Sequence, residues 1–380
     1  MMRLDADWLR RPETGAVFDA LDGHGVWFVG GCVRNGLLGL DVADIDICTN
    51  LRPERVMALA EAAGLKAVPT GIDHGTVTVV SGGLPYEITT LRRDVETDGR
   101  HASVAFTDVL AEDAARRDFT MNALYATRGG EVLDPNGDGL SDLHARRVRF
   151  IGDADARIAE DYLRILRFFR FHAWYADPSG GLDAESLAAC AAGLDGIAQL
   201  SRERVGAEIK TLLRAPDPAP AVAAMDQTGV LAAVLPGASS RMLTLLTGLE
   251  TGLTPDAVRR LAALGGDDVA ERLRLSRSDS KRLTLYRTEM GAMTTPGALG
   301  YHHGLDAARD ILVLRGLLSE QPVTASALHT AKLGATATFP IRAADLPDLH
   351  GKPLGDRLKL LEARWIDSTF TLTKSELLNR

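Results

Sequence analysis

At 380 residues, with 43 basic against 51 acidic side chains and a net charge of -8, the chain exceeds the size at which one core keeps growing, so two or more domains are expected. Its acidity argues against a protein that coats nucleic acid without specificity, because phosphate neutralisation leaves a basic footprint. No run approaches the roughly 18 apolar residues of a membrane span, residues 1–11 show no apolar signal core, and Cys32, Cys48 and Cys190 follow neither disulfide nor metal spacing, which together predict a soluble, cytoplasmic protein with buried thiols.

In chain order, the first β-type run is Val26-Trp27-Phe28-Val29, which ends on Gly30-Gly31. A helix is expected over Pro53–Ala63, its proline near the first turn where a missing N–H costs little. Further β-type runs follow at Thr76-Val77-Thr78-Val79-Val80 and Tyr86-Glu87-Ile88-Thr89-Thr90. Up to about residue 145 the texture is therefore that of an α/β unit. From about Ala154 it becomes Ala/Leu/Arg-rich with helical periodicity, broken at Asp177-Pro178-Ser179-Gly180-Gly181, Pro216-Asp217-Pro218 and Pro236-Gly237. The expected class is α+β, a small mixed β-sheet head followed by helices. The segment Glu160–Phe171 reads as one buried helix, with apolar side chains all round it. From Leu143 to His172 seven arginines stand against four acids, a local balance of +3 inside an acidic chain.

Gly30-Gly31 after an apolar strand offers backbone N–H groups to a phosphate with no Cβ in the way. The chain has neither the dinucleotide fingerprint nor a P-loop lysine, and Arg34 is the cation placed to meet a triphosphate. Asp44 and Asp46 project to the same side of an extended segment from Cα atoms about 6.5–7 Å apart, while Ile45 and Ile47 point inward. Two hard oxyanions beside a phosphate loop suit magnesium. Glu87 is a third acidic group that could stand near them. At Arg116-Arg117-Asp118 one arginine can turn to a phosphate and another to a carboxylate, with Asp118 fixing an arginine in its fork geometry. Asp161 and Arg164 present an acceptor and a donor at i,i+3. Cytosine and adenine both carry an exocyclic amino donor beside a ring-nitrogen acceptor, and uracil and guanine the opposite, so this pair matches C and A.

Gly30-Gly31-x-Val33-Arg34, Asp44-x-Asp46, Thr70-Gly71-x-x-His74-Gly75-Thr76, Asp98-Gly99-Arg100, Arg116-Arg117-Asp118-Phe119-Thr120 and Glu160-Asp161-x-x-Arg164 stand in fixed order. In this the chain resembles the class II CCA-adding enzymes, tRNA nucleotidyltransferases of the DNA polymerase β superfamily. The likeness covers roughly residues 25 to 240, includes Ser201-Arg202-Glu203-Arg204-Val205 and Gly229-Val230-Leu231, and fades in the last third. It implies a catalytic nucleotidyltransferase head over 1–145, a helical neck with a base-selecting helix and the start of the body over 146–240, and a tRNA-binding body and tail over 241–380. It also implies that Asp44 and Asp46 are catalytic and bind Mg2+, that Gly31, Arg34 and Arg117 contact the phosphates and sugar, that Asp161 and Arg164 read the base with Arg167 and Arg170 nearby, and that Asp98 to Arg100 belong to a loop that helps the switch from C to A.

The implied reaction is template-independent addition of C, C and A to the 3′ end of tRNA from CTP and ATP. Asn35 departs from the family, which usually has Asp there. A poly(A) polymerase or a partial CC- or A-adding enzyme shares the head. A basic stretch follows Asp-x-Asp in the poly(A) group, where this chain has Val68-Pro69-Thr70-Gly71-Ile72-Asp73-His74-Gly75. A non-catalytic RNA-binding protein would need neither aspartate, and no adjacent His-Asp signature of a hydrolase domain is present.

Overall fold

The computed structural model describes residues 2–94 and 104–379. Two compact units divide the chain, Met1–Leu200 and Ser201–Arg380.

The first unit is built on a sheet. Apolar β1 (Val26–Val29) runs into Gly30, whose φ of 69° belongs to the region that favours glycine, and helix α1 (Gly31–Leu38) starts at once. After β2 (Asp46–Thr49), α2 (Pro53–Ala62) has its proline in the first turn, as its sequence predicts. Then come β3 (Lys66–Gly71), β4 (Thr76–Ser81) and β5 (Leu84–Thr90). β6 (Arg92–Asp94) pairs with β7 (Val104–Phe106). Helix α3 (Leu110–Ala115) precedes the short strands β8 (Tyr125–Ala126) and β9 (Val132–Leu133). Among the described residues the main sheet is seven-stranded, in the order β3-β4-β5-β2-β1-β8-β9. It is mixed: β2 and β5 are parallel, with Asp46 opposite Glu87, whereas β1 is antiparallel to both β2 and β8.

Helices α4 (Ala154–Glu160), α5 (Leu163–Tyr175) and α6 (Ala184–Ala192) complete this unit. The run read as one helix from Glu160 is broken at Asp161 and Tyr162. The Asp161 backbone is extended, and one of its carboxylate oxygens accepts from Leu163 N at 3.1 Å, so it ends α4 and stands ahead of α5 instead of lying inside a helix. Asp competes for backbone N–H groups, which is why it favours such a position. Beyond the break α5 buries Ile165, Leu166, Phe168, Phe169 and Phe171. Phe119 is an aromatic partner of α5, its ring 4.6 Å from Phe171 and 6.4 Å from Phe168, and it also packs at a tilt against Phe150 at 5.0 Å. Each such ring contributes roughly 1.5–3 kcal/mol by burial. Cys32, Cys48 and Cys190 are free and buried.

The second unit is helical. Ser201 caps α7 (Arg202–Leu213), accepting from Arg204 N. A buried ion network lies behind it: Glu250 takes Arg259 at 2.7 Å and Arg260 at 2.8 Å, Asp310 takes Arg259 at 2.6 Å, and Arg260 donates to the carbonyls of Leu213 and Ala215 at the end of α7. Then follow α8 (Arg277–Met290), α9 (Pro296–Ser319), α10 (Ala325–Thr336) and α11 (Gly351–Asp367). α9 and α10 approach so closely that a Cβ on Gly300 would stand 1.9 Å from the Ala331 carbonyl oxygen. Ile341, Leu361, Trp365 and Leu377 form a small core at the C-terminal end. Among the described residues no helix is long and apolar enough to cross a membrane.

Candidate active site

The acidic part of the site is set by strand alternation. Ile45 and Ile47 are buried, Asp46 is half-buried at the start of β2, and Asp44 is exposed just before it. Parallel pairing with β5 puts exposed Glu87 directly across from Asp46, about 4.8 Å away along the sheet by strand spacing. Burial raises the Asp46 carboxyl above the ordinary carboxylate range, and Glu87 and Asp44 raise it further, against the opposing pull of Arg117 and Arg34. A bound cation would relieve that repulsion. The donors are hard carboxylate oxygens, and among the described residues no set of three side chains could hold an ion unaided. Magnesium fits such a place, since it is held by one or two carboxylates and completes its shell with water and substrate phosphate.

The cationic part comes from three distant segments. Arg34, on α1, is 5% exposed. Its guanidinium donates to Asn35 Oδ1 at 2.9 and 3.1 Å, to Asn122 Oδ1 at 2.6 Å and to the Tyr175 hydroxyl at 2.8 Å, all neutral oxygens. The Tyr175 ring lies 3.9 Å from its centre and the Phe171 ring 4.9 Å. Burial holds the Arg34 pKa below the usual guanidinium value, with Tyr175 and Asp118 opposing that effect. Phe171 also receives Arg170 at 4.8 Å and Arg167 at 5.5 Å, so a single ring gathers three guanidinium groups. Asn35 replaces the family's carboxylate yet still orients Arg34, while its Nδ2 donates to the Asp41 carbonyl at 3.0 Å in the segment that leads to Asp44.

Asp113, buried at the end of α3, takes both Arg116 at 3.1 Å and Arg117 at 2.9 Å. Tyr125 donates to it at 2.8 Å. Burial would raise the Asp113 carboxyl, but Arg117 and Arg116 outweigh it and hold it below the usual range. A Cβ on Gly30 would stand 3.6 Å from Arg117 Nη1, so this guanidinium lies against the glycine turn. Asp118 fixes an arginine, as its sequence position suggests, and that arginine is Arg167, with Nε at 2.7 Å.

Asp161 and Arg164 adjoin at the α4–α5 break. Arg164 is held by Glu160, by the Arg157 carbonyl at 2.8 Å and by the Arg116 carbonyl at 3.3 Å. Those three bonds use three of its five N–H donors, which leaves Nε–H and one Nη2–H without a hydrogen bond among the described residues. Asp98-Gly99-Arg100 lies outside the described residues.

The structure adds three residues that the sequence reading did not single out: Asn122, Tyr175 and Asp113. Only Asp113 had a local signal, since it precedes Arg116 and Arg117 at the i,i+3 and i,i+4 spacings of a helix face. Asn122 and Tyr175 are 88 and 141 residues from Arg34.

Residues 26–149 match the poly A polymerase head domain family, and residues 181–242 match the family described as the probable RNA and SrmB-binding site of polymerase A. The mitochondrial CCA tRNA nucleotidyltransferase 1 of Mus musculus is 31% identical over 383 residues, an alignment that spans 95% of this chain and 87% of that protein. The chain belongs to the CCA tRNA nucleotidyltransferase family. The CCA-adding enzyme of Geobacillus thermodenitrificans is 39% identical over 221 residues, 58% of this chain and 52% of that enzyme. A crystal structure of the Bacillus stearothermophilus CCA-adding enzyme in complex with CTP superposes with a TM-score of 0.73 at 25% identity, covering 94% of each chain. As a CCA tRNA nucleotidyltransferase family member the chain is a nucleotidyltransferase, and the family implies a divalent metal.

Proposed function

We propose that this enzyme adds C, C and A to the 3′ end of tRNA, transferring CMP and AMP from CTP and ATP and releasing pyrophosphate, with Mg2+ as its metal. The observation that carries this reading is the convergence of Asp44, Asp46 and Glu87 on one side of the sheet with Arg34 and Arg117 beside the Gly30-Gly31 turn. Asp44 and Asp46 would hold the metal, and Glu87, opposite Asp46 on β5, would add negative charge beside it. When bound, Mg2+ would lower the pKa of the terminal 3′-hydroxyl and neutralise charge on the departing pyrophosphate.

The chain's own groups do the rest. The Gly30-Gly31 turn opens α1, so backbone N–H groups at a helix start face the phosphates. Arg34 and Arg117 are rigidly held cations for the triphosphate, and Arg167 and Arg170 extend that field from α5. Catalysis then comes from positioning and charge stabilisation. At the α4–α5 break, Arg164 is aimed by Glu160 and two carbonyls with two N–H donors left for a base, and Asp161 supplies the acceptor. A wrong base leaves such polar groups unpaired, which is how a polar site rejects analogues strongly.

In this reading residues 1–145 form the head, 146–240 the neck with the base-selecting helix, and 241–380 the body and tail that hold tRNA. A cytoplasmic location belongs to the same proposal. Incubating the protein with tRNA that lacks its CCA end, CTP, ATP and Mg2+ tests it. Extension that stops after three nucleotides is the expected result, and a long ladder of adenylates would make the protein a poly(A) polymerase instead.

A further inference from the structure

A cavity of about 330 Å³ lies inside the first unit, between residues 149–154 and the start of α6, and none of the active-site side chains described above lines it. That volume is at the lower end of the range for small-molecule sites. Asp138, Asp183 and Glu185 line the cavity against a single cation, Arg149. The Arg149 guanidinium is already committed: Nε and Nη2 each meet the buried Asp142 at 3.0 Å, and Nη2 stands 3.3 Å from Asp138. Asp183 and Glu185 have no ion-pair partner among the described residues. The cavity is therefore acidic, with four carboxylates, counting Asp142, around one guanidinium.

A second observation comes from Ser186, in the first turn of α6. It is 1% exposed and lines the cavity, yet its Oγ has no hydrogen-bond partner among the described residues. Only its backbone N–H is satisfied, by the Asp183 carboxylate at 3.0 Å. A buried hydroxyl left unpaired costs stability, so this one points to a polar group that enters the cavity from outside. The remaining wall is apolar, formed by the buried side chains of Phe150, Ile151 and Ala154.

We propose that this cavity binds a short aliphatic polyamine. Carboxylates lining a concave wall concentrate cations and repel anions. They are spread around the cavity instead of gathered at one point, and among the described residues no three of them could hold a metal ion. Separated charges with an apolar wall between them match a ligand whose ammonium groups are joined by methylenes. The ammonium groups meet Asp138, Asp183 and Glu185, the methylenes lie against Phe150 and Ile151, and Ser186 Oγ accepts from an ammonium N–H. A bound polyamine fastens residues 149–154 to α6, on which α4 packs. The inference stands apart from the choice of nucleic-acid substrate.

The test is calorimetric titration of spermidine into the full chain, without RNA or nucleotide, at about 150 mM salt, where diffuse attraction between exposed charges is largely screened. One saturable site is expected, and spermidine should raise the melting temperature. The double variant Asp138→Asn with Glu185→Gln keeps the side-chain shapes and should bind about tenfold more weakly. Ser186→Ala should bind about two- to tenfold more weakly while melting no lower than the parent without ligand, since it removes an unpaired hydroxyl. Asp44→Ala should bind spermidine as the parent does, which separates this cavity from the acidic active site. No saturable binding by the parent overturns the proposal. So do equal affinities in the parent and both cavity variants, loss of binding in Asp44→Ala, or displacement of spermidine by Mg2+ at matched ionic strength.

Discussion

Tyr175 is a positioning residue for Arg34, and removing its hydroxyl measures how much that cage matters. Arg34 is nearly fully buried, and its hydrogen-bond acceptors are neutral: Asn35, Asn122 and Tyr175, the last at 2.8 Å with its ring 3.9 Å from the guanidinium. A hydrogen bond to a charged group contributes about 1.5–3 kcal/mol, and a desolvated cation–π contact contributes about 2 kcal/mol. Tyr175→Phe keeps the ring and deletes the hydroxyl. It should raise KM by about tenfold, which corresponds to about 1.4 kcal/mol. Tyr175→Leu deletes both and should cost about 100-fold or less, because neighbouring losses do not add fully. The triphosphate is common to CTP and ATP, so both KM values should rise by the same factor while incorporation of UTP and GTP stays low. Steady-state kinetics with each nucleotide, alongside thermal melting, reads this out. Unchanged KM values for both variants, or a change in base selection without a change in KM, would refute the assignment of Arg34 to the phosphates and of Tyr175 to Arg34.

Asp44→Ala should abolish nucleotide incorporation with the melting transition retained, since Asp44 is exposed and Ile45 and Ile47 carry the packing; substantial remaining activity would remove it from the metal site. His172 is buried in α5, and desolvation depresses its pKa from 6.5 to about 4. The unfolded chain therefore binds a proton that the folded one refuses. Stability should be fully present above pH 6.5 and fall as pH drops towards 4, by up to about 3 kcal/mol; urea unfolding of His172→Phe across that window should show a flatter acid limb. Gly300→Ala would force a Cβ to 1.9 Å from the Ala331 carbonyl oxygen and should destabilise by at least about 1–3 kcal/mol. Gly355→Ala in α11 meets nothing within 4 Å and should stabilise by roughly 0.5–1 kcal/mol, a contrast that thermal melting of both variants checks.

What the sequence made legible is what local chemistry decides. The alternation of Ile45 and Ile47 against Asp44 and Asp46 is a property of an extended backbone, and the structure has it. The strands at Val26–Val29 and Thr76–Ser81 and the helix at Pro53–Ala62 follow from apolar alternation, turn residues and a first-turn proline. The pairing of Asp46 with Glu87 is different, because it depends on β2 and β5 becoming parallel neighbours although β3 and β4 lie between them in sequence. The Arg34 cage is also non-local. Its rings and amide arrive from α5 and from the Asn122 turn, and no spacing rule links Gly30-Gly31 to Tyr175. From Glu160 to Arg164 the helical periodicity of the sequence runs on without a gap, but the Asp161 carboxylate takes the N–H of Leu163, and that local competition breaks the helix where periodicity alone shows no break.

The most direct test of the account is whether the protein itself, without a nucleic-acid template, selects the base through the α4–α5 break. Wild-type protein and Arg164→Ala would be given tRNA lacking its end and an equimolar mixture of CTP, ATP, UTP and GTP, and the added nucleotides sequenced. The wild type should add C, C and A, and the variant should admit U and G at those positions while Tyr175→Phe does not. Unchanged C-and-A selection in Arg164→Ala would contradict the account and return Arg164 to an ion-pair partner of Glu160.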